Sequence, residues 1–346
     1  MTYKQAGVDR TGAEALVQRI ARLAAKTRRP EVLADIGPFA GLITLPTRYR
    51  HPVLVASTDG VGTKVKVAQQ AGRHRTIGVD LVAMSANDVL TCGAEPLFFL
   101  DYFATGRLEP AVAEEILAGV AEGCCEAGCA LLGGETAEMP DCYGPGEYDL
   151  AGFVVGVVER DRVVNGRAVE PGDAVLGLPS SGLHSNGFSL ARRALLERAG
   201  YALDAVLPPL TRPLGEELLM PTRIYVRAVR HLLETVPVKA MAHITGGGLP
   251  GNLPRVLPEG RRAVLDASTW PEPPIFGLIE RAGSVPPEEM LRVFNLGVGF
   301  VLVVAEADTD RALQVLAGAG EKPVRIGRIE AGERGAEVHR PGRARP

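Results

Sequence analysis

The strongest constraint on the fold is an apolar run at residues 53–56 that leads into the glycine-rich stretch Asp-Gly-Val-Gly-Thr-Lys at residues 59–64. The apolar run predicts a buried β-strand. The glycines allow the backbone to approach a ligand closely, and backbone N–H groups beside a hydroxyl and an ammonium suit phosphate oxygens. The aspartate is a hard oxygen ligand of the kind that Mg²⁺ prefers. The stretch therefore predicts a metal–polyphosphate site, and the simpler alternative is an Asp-Gly turn between two strands.

Three further stretches combine glycine with polar side chains. A short strand predicted at residues 129–132 runs into a Gly-Gly-Glu loop, which makes Glu135 a candidate metal ligand. Residues 179–189 carry serine, histidine and asparagine before a predicted helix at 190–199, which suits either a phosphate group or an ordinary helix cap. Another glycine-rich loop occupies residues 243–248. Together the loops imply a phosphate-bearing ligand bound with a divalent ion, because phosphoryl transfer needs charge and position more than a nucleophile.

An acidic residue also lies inside a predicted helix. Residues 76–92 read as a helix with Gly93 as its C-cap, and Asp88 lies within it beside Val89 and Leu90. A carboxylate in apolar surroundings needs a partner or a metal ion. Asp88 is therefore a candidate metal ligand, and the alternative is an exposed or capping aspartate.

Composition bounds the class of protein. The chain has 346 residues, of which 46% are hydrophobic, so we expect two domains, at residues 1–168 and 169–346. The net charge of −3 gives no sign of a nucleic-acid or membrane partner, and no apolar run is long enough to span a bilayer. The five cysteines include no Cys-x-x-Cys pair, which argues against a zinc site and favours reduced thiols in a cytoplasmic protein.

Periodicity places the other elements. Residues 1–12, which include Lys4, predict a mobile leading segment, and the charged, arginine-rich residues from Gly332 onwards predict a frayed tail. The remaining patterns predict strands at 96–101, 149–158, 174–178 and 301–305 and helices at 13–28, 107–127 and 308–316.

Five motifs in this order carry a specific resemblance, and they lie at residues 59–64, 78–88, 133–140, 181–187 and 244–248. From Tyr3 to about Val304 the chain resembles the phosphoribosylformylglycinamidine cyclo-ligase family, also called aminoimidazole ribonucleotide synthetases. The resemblance implies two α+β domains, with the N-terminal mixed sheet forming an intersubunit β-barrel in a homodimer. It also implies that formylglycinamidine ribonucleotide and ATP, with Mg²⁺, give aminoimidazole ribonucleotide, ADP and phosphate in purine biosynthesis.

The resemblance also assigns roles to individual residues. Lys4 and His184 would act in catalysis, Lys4 by closing over the site and His184 by moving a proton. The Mg²⁺ ligands would be Asp59, Asp88 and Glu135. The ATP-binding positions would be Asp59, Gly60, Gly62, Thr63, Lys64 and Asp80. The substrate contacts would be Ser181, His184, Ser185 and Asn186.

Two other functions remain to be compared with this one. A kinase or selenophosphate-forming relative is one, but the selenophosphate branch carries a reactive cysteine near its N-terminus, and no cysteine precedes Cys92 here. A non-catalytic nucleotide-holding domain is the other. The acids at Asp59, Asp88 and Glu135 disfavour it, because a purely structural site need not keep them.

Overall fold

The structure, a computed structural model, describes residues 10–34 and 36–340, so Lys4 and its expected role lie outside the described residues. The chain divides into two compact units. The first comprises the described residues up to Leu90 together with Ala94–Arg162, and the second comprises Thr91–Gly93 and the described residues from Val163. The division thus falls after Arg162, a few residues before the expected boundary at 168.

The first unit is a mixed four-stranded sheet with helices. Its strand order is β1-β4-β2-β3, in which β2 and β3 are parallel and the other pairs are antiparallel. Its elements in chain order are α1 (Arg10–Ala25), β1 (Pro52–Gly60), α2 (Lys64–Ala71), α3 (Arg75–Leu90), β2 (Glu95–Thr105), α4 (Pro110–Ala127), β3 (Ala130–Glu138) and β4 (Tyr148–Glu159).

The second unit contains a six-stranded mixed sheet with the order β10-β7-β9-β5-β8-β6. Its elements are β5 (Ala174–Pro179), α5 (Phe188–Arg192), α6 (Leu214–Leu218), α7 (Val226–Leu233), β6 (Val238–His243), α8 (Gly248–Asn252), β7 (Arg261–Asp266), α9 (Pro274–Gly283), α10 (Pro287–Val293), β8 (Val298–Val304), α11 (Thr309–Gly318), β9 (Val324–Ala331) and β10 (Gly335–His339). The expected two-domain α+β class is confirmed.

Two glycines set how closely α3 and α4 pack. A Cβ atom at Gly78 would collide with the carbonyl of Ile116, and one at Gly119 would collide with the carbonyl of Arg75. The two backbones are therefore in contact, which leaves α3 buried along most of its length between α4 and the sheet. This packing holds the α3 carboxylates in place against the strands.

Three sequence-based expectations are wrong. β1 alternates between exposed and half-buried residues, because it is an edge strand whose outer face is uncovered, whereas a buried strand was expected. β3 continues through Gly133, Gly134 and Glu135 to Glu138, because it pairs with β2 along this length, so the expected Gly-Gly-Glu loop does not form. Residues 335–339 form β10, paired in parallel with β7, where a frayed tail was expected.

One face of the four-stranded sheet is apolar and open. Leu54 is 58% exposed, Phe153 45% and Tyr102 37%, and the strand register places all three on the face opposite the helices. Exposed aromatic and aliphatic side chains grouped on one surface usually mark an interaction site. Within the described residues, no helix has the length and apolar character that a transmembrane segment requires.

Candidate functional site

Strand register in the first unit aligns two carboxylates in one row across the sheet. Asp59 lies opposite Gly152, Gly152 lies opposite Asp101, and Asp101 lies opposite Gly134. Residues directly opposite each other share a face, so Asp59 and Asp101 point to the same side. A Cβ atom at Gly152 would meet Leu81 of α3, which identifies this side as the one that the helices cover.

Asp88 reaches the same side from α3. Its Oδ2 accepts a hydrogen bond from the hydroxyl of Ser57 at 3.1 Å, and Ser57 lies two residues before Asp59 on β1. Two residues along a strand span about 7 Å, so the side chains of Asp59 and Asp88 occupy neighbouring positions on the inner face. Asp59 and Asp88 are two of the three predicted metal ligands, and the fold places both on this side of the sheet.

The third predicted ligand lies on the other face. Glu135 is opposite Tyr102, and both are exposed on the outer side of the sheet. Among residues 10–34 and 36–340, no group of three or more His, Cys, Asp or Glu side chains is arranged to hold a metal ion. Gly134 faces inward opposite Asp101, so the next residue of the continuous strand, Glu135, points outward. The single chain thus does not assemble Asp59, Asp88 and Glu135 into one cluster. The predicted ligand set stays a prediction.

The stretch after Asp59 forms a strand–turn–helix connection. β1 ends at Gly60, Gly62 adopts a left-handed conformation with φ 67°, and Thr63 precedes the first residue of α2. Glycine is needed at this turn because other residues rarely adopt that φ. The turn places the N-terminus of α2, where backbone N–H groups and the helix dipole favour an anion, directly after the Asp59 strand.

Lys64 and Asp80 form a buried ion pair between α2 and α3. Nζ of Lys64 lies 2.8 Å from Oδ2 and 2.9 Å from Oδ1 of Asp80, and both side chains are fully buried. Burial lowers the pKa of the Lys64 ammonium, and the charge of Asp80 opposes that effect. In this conformation Lys64 does not face solvent, so the structure makes the pair a link between α2 and α3, and direct contact of either residue with ATP stays a prediction.

Asp101 is a buried carboxyl group that sequence reasoning missed as a site residue. It packs directly over Gly134, where a Cβ atom would collide with its carboxylate. Burial raises the pKa of Asp101 to about 7, and its own backbone N–H only partly offsets this. No described residue forms an ion pair with it. A signal was present in the sequence, because Asp101 alternates with Phe99 and Phe103 on the inward-facing side of a strand.

In the second unit, the loop after β5 carries the four predicted substrate contacts. His184 is buried, adopts φ 60°, and its Nε2 accepts a hydrogen bond from the backbone N–H of Ser181 at 3.1 Å. The acceptor role of Nε2 gives the neutral imidazole a proton on Nδ1. His184 therefore shapes the loop in this conformation, and its expected proton transfer stays a prediction.

The other three predicted contacts differ in their remaining hydrogen-bonding capacity. The hydroxyl of Ser181 donates to the carbonyl of Pro221 at 2.5 Å, and that of Ser185 pairs with the hydroxyl of Thr222 at 3.2 Å. Oδ1 of Asn186 accepts from the N–H of Gly246 at 2.9 Å, while no described residue accepts from its Nδ2. The Gly246 bond joins this loop to the glycine-rich loop at 243–248.

Two buried asparagines, also missed from the sequence, hold these loops. Asn295 accepts from the Ser180 hydroxyl at 2.9 Å and donates to the Gly182 carbonyl at 2.9 Å. Asn252 binds the glycine-rich loop, with its Nδ2 2.9 Å from the Gly248 carbonyl. Neither position follows a pattern that distinguishes it from a helix or turn asparagine in the sequence.

The raised pKa of Asp101 gives a stability prediction. Its folded-state pKa of about 7 exceeds the ordinary 3.8, so the folded state holds the proton more tightly and unfolding free energy falls as pH rises between these values. The full loss is roughly 4 kcal/mol at about 1.4 kcal/mol per pKa unit. We expect Asp101→Asn to unfold at a higher urea concentration than the wild type at pH 8, with a smaller advantage at pH 5. Equal pH dependence in both proteins would contradict this, and Asp161→Asn, at an exposed turn of the same unit, is the matched control.

Comparison with known proteins gives a consistent assignment. Residues 40–158 match the N-terminal domain of AIR synthase related proteins, and residues 170–340 match the C-terminal domain. A phosphoribosylformylglycinamidine cyclo-ligase of Myxococcus xanthus (strain DK1622) is 62% identical over 333 residues, covering 96% of each protein. A second, from Anaeromyxobacter sp. (strain Fw109-5), is 58% identical over 334 residues, again covering 96% of each.

Solved structures with the same fold are more distant. The thiamine-monophosphate kinase of Stenotrophomonas maltophilia K279a has a TM-score of 0.66 at 21% identity, covering 94% of this chain and 96% of that one. The hydrogenase maturation protein HypE in complex with ATP has a TM-score of 0.67 at 18% identity, and the match covers 95% of this chain and 91% of that one. These likenesses show the fold, and the close relatives show the family. The chain is an enzyme that belongs to the phosphoribosylformylglycinamidine cyclo-ligase family.

Proposed function

We propose that this enzyme uses ATP to close the imidazole ring of formylglycinamidine ribonucleotide, giving aminoimidazole ribonucleotide, ADP and phosphate. The reaction transfers the γ-phosphoryl group to the formyl amide oxygen. The amidine nitrogen then attacks the activated carbon, phosphate leaves with the former amide oxygen, and the nitrogen loses a proton. Close relatives with the cyclo-ligase name support the reaction, and a distant structural relative in complex with ATP supports the nucleotide.

The observation that carries the proposal is the hydrogen bond from Ser57 to Asp88, which places the Asp88 carboxylate on the side of β1 that Asp59 faces, with the N-terminus of α2 following β1 in the chain. Mg²⁺ is usually held by one or two protein carboxylates together with phosphate oxygens and water, so two carboxylates suffice. Asp59 and Asp88 would hold the ion, which when bound would neutralise charge on the triphosphate. The turn at Gly60, Gly62 and Thr63 would accept the phosphates at the helix N-terminus.

The residues of this chain would bind and orient the two reactants, and none of them would form a covalent bond to either. The buried Lys64–Asp80 pair would keep α2 fixed on α3, so that the helix N-terminus and Asp88 hold their relative positions. In the second unit, the loop from Ser181 to Asn186 would orient the ribonucleotide. Correct orientation of bound reactants accounts for a large part of many enzymatic rate enhancements.

The kinase-like structural relatives represent the competing function. Phosphoryl transfer to a different acceptor would use the same nucleotide site, so the acceptor is the point to test. We expect ADP and phosphate release to require Mg²⁺ and formylglycinamidine ribonucleotide together. Coupled-enzyme detection of ADP, with thiamine monophosphate as the alternative acceptor, measures this. Equal ADP release without the ribonucleotide, or with thiamine monophosphate in its place, would rule out the cyclo-ligase activity.

We also propose that the enzyme is a homodimer in which the open faces of two four-stranded sheets meet. The support is the apolar outer face formed by Leu54, Phe153 and Tyr102. Glu135 lies on this outer face, so in the dimer its carboxylate would lie at the interface and not beside Asp59 and Asp88. The free state of all five cysteines supports a reducing compartment, and we propose the cytoplasm as the location.

The dimer has a direct test. Leu54→Asp places a charge within the proposed interface, and burying an unpaired charge is strongly unfavourable. We expect the wild type to sediment as a dimer and Leu54→Asp as a folded monomer in analytical ultracentrifugation. Val206→Asp, at an exposed apolar residue of the second unit, is the control and should leave the dimer intact. A monomeric wild type, or a dimeric Leu54→Asp, would contradict the proposal.

A further inference from the structure

We propose that Asn252 is a positioning residue: it fixes the glycine-rich loop at 244–248 and thereby aims the amide nitrogen of Asn186 at an acceptor oxygen of the bound ribonucleotide. The nature of the ligand rests on the proposed function. The positioning of the loop rests on the contacts of the described residues alone.

Asn252 uses its whole carboxamide on the loop and its support. Its Nδ2 lies 2.9 Å from the carbonyl oxygen of Gly248 and 3.3 Å from those of Thr245 and Gly246. Its Oδ1 accepts from the hydroxyl of Thr245 at 3.3 Å and from Nη1 of Arg255 at 3.2 Å. Because the side chain is buried, these bonds have little competition from water.

The loop can turn its carbonyl groups toward Asn252 because of its glycines. Gly247 and Gly248 have φ values of 104° and 60°, which non-glycine residues rarely adopt. A Cβ atom at Gly248 would also collide with the carbonyl oxygen of Leu291. With the carbonyls on the Asn252 side, the N–H of Gly246 points to Asn186 and donates to its Oδ1 at 2.9 Å.

That bond determines which way the Asn186 amide faces. Its oxygen is held by Gly246, so its nitrogen is directed elsewhere, and the buried Nδ2 has no acceptor among the described residues. Buried donors in proteins are nearly always hydrogen-bonded, and an unfilled one calls for an explanation. An acceptor oxygen on a ligand, from a phosphate, a hydroxyl or a carbonyl, would supply the missing bond. The chain of contacts therefore runs from Asn252 through the loop to a donor that a ligand completes.

Substitution by aspartate tests the loop contacts of Asn252 separately from the donor of Asn186. Aspartate matches asparagine in size, but its carboxylate cannot donate a hydrogen bond. In Asn252→Asp, a carboxylate oxygen would face three carbonyl oxygens, which would release the loop. In Asn186→Asp, the bond from the Gly246 N–H would survive, and only the donor to the ligand would be lost. Asn165→Asp, at an exposed turn of the same unit where Oδ1 accepts from the N–H of Arg167, is the matched control.

The experiment measures amide hydrogen exchange at residues 246–248 without ligand, and KM for formylglycinamidine ribonucleotide and for ATP, in all four full-length proteins. For Asn252→Asp we expect faster exchange and a ribonucleotide KM raised about tenfold or more, with the ATP KM changed less than about twofold. For Asn186→Asp we expect wild-type exchange and a similar rise in ribonucleotide KM. Asn165→Asp should match the wild type in every measurement.

Each other outcome is also decisive. Wild-type exchange in Asn252→Asp would overturn the positioning role, and faster exchange with an unchanged ribonucleotide KM would overturn its link to the ligand. If the wild type lacks ribonucleotide-dependent turnover, the proposed function fails, while the exchange data still decide whether Asn252 fixes the loop. Should Asn252→Asp not fold, Thr245→Val removes one bond to the same carboxamide and should shift exchange and KM in the same direction by smaller amounts.

Discussion

The pairing of β1 with β4 is the constraint on which the first unit's chemistry depends. Its register decides that Asp59 faces α3, where Asp88 is held by Ser57, and that Leu54 and Phe153 face outward. A shift of one residue would exchange the two faces and separate the carboxylates. The same pairing thus creates a charged inner surface suited to a metal–nucleotide and an apolar outer surface suited to a second copy of the chain.

In the second unit, uncharged side-chain amides hold the loops in position. Asn295 and Asn252 each bind the backbone of one loop, and Asn186 joins the two loops through Gly246. The bonds of Asn295 and Asn252 specify one conformation of each loop, since each broken bond would leave a buried group without a partner, while Nδ2 of Asn186 has no acceptor among the described residues. The two units therefore use different means: the first relies on carboxylates placed by strand register, and the second on loops held by side-chain amides.

Much of this arrangement could be predicted from the sequence, because it depends on local patterns. The strand and the glycine turn at residues 53–63 come from contiguous residues, and α4 (Pro110–Ala127) lies within the helix predicted at 107–127. The helix α2 that follows the turn was not predicted. The direction of Glu135 could not be predicted, since it depends on the pairing of β3 with β2 beyond the glycine pair. The role of Asn252 could not be predicted either, because its partners are backbone carbonyls, which have no signature in the sequence.

The central claim is that Asp59 and Asp88 hold the metal of a metal–triphosphate, and calorimetric titration with ATP tests it most directly. With Mg²⁺ we predict that the wild type binds ATP about tenfold or more tightly than in EDTA, and that Asp88→Asn loses most of this difference. Asp161→Asn, at an exposed turn of the same unit, should behave as the wild type. Full magnesium-dependent affinity in Asp88→Asn would contradict the account.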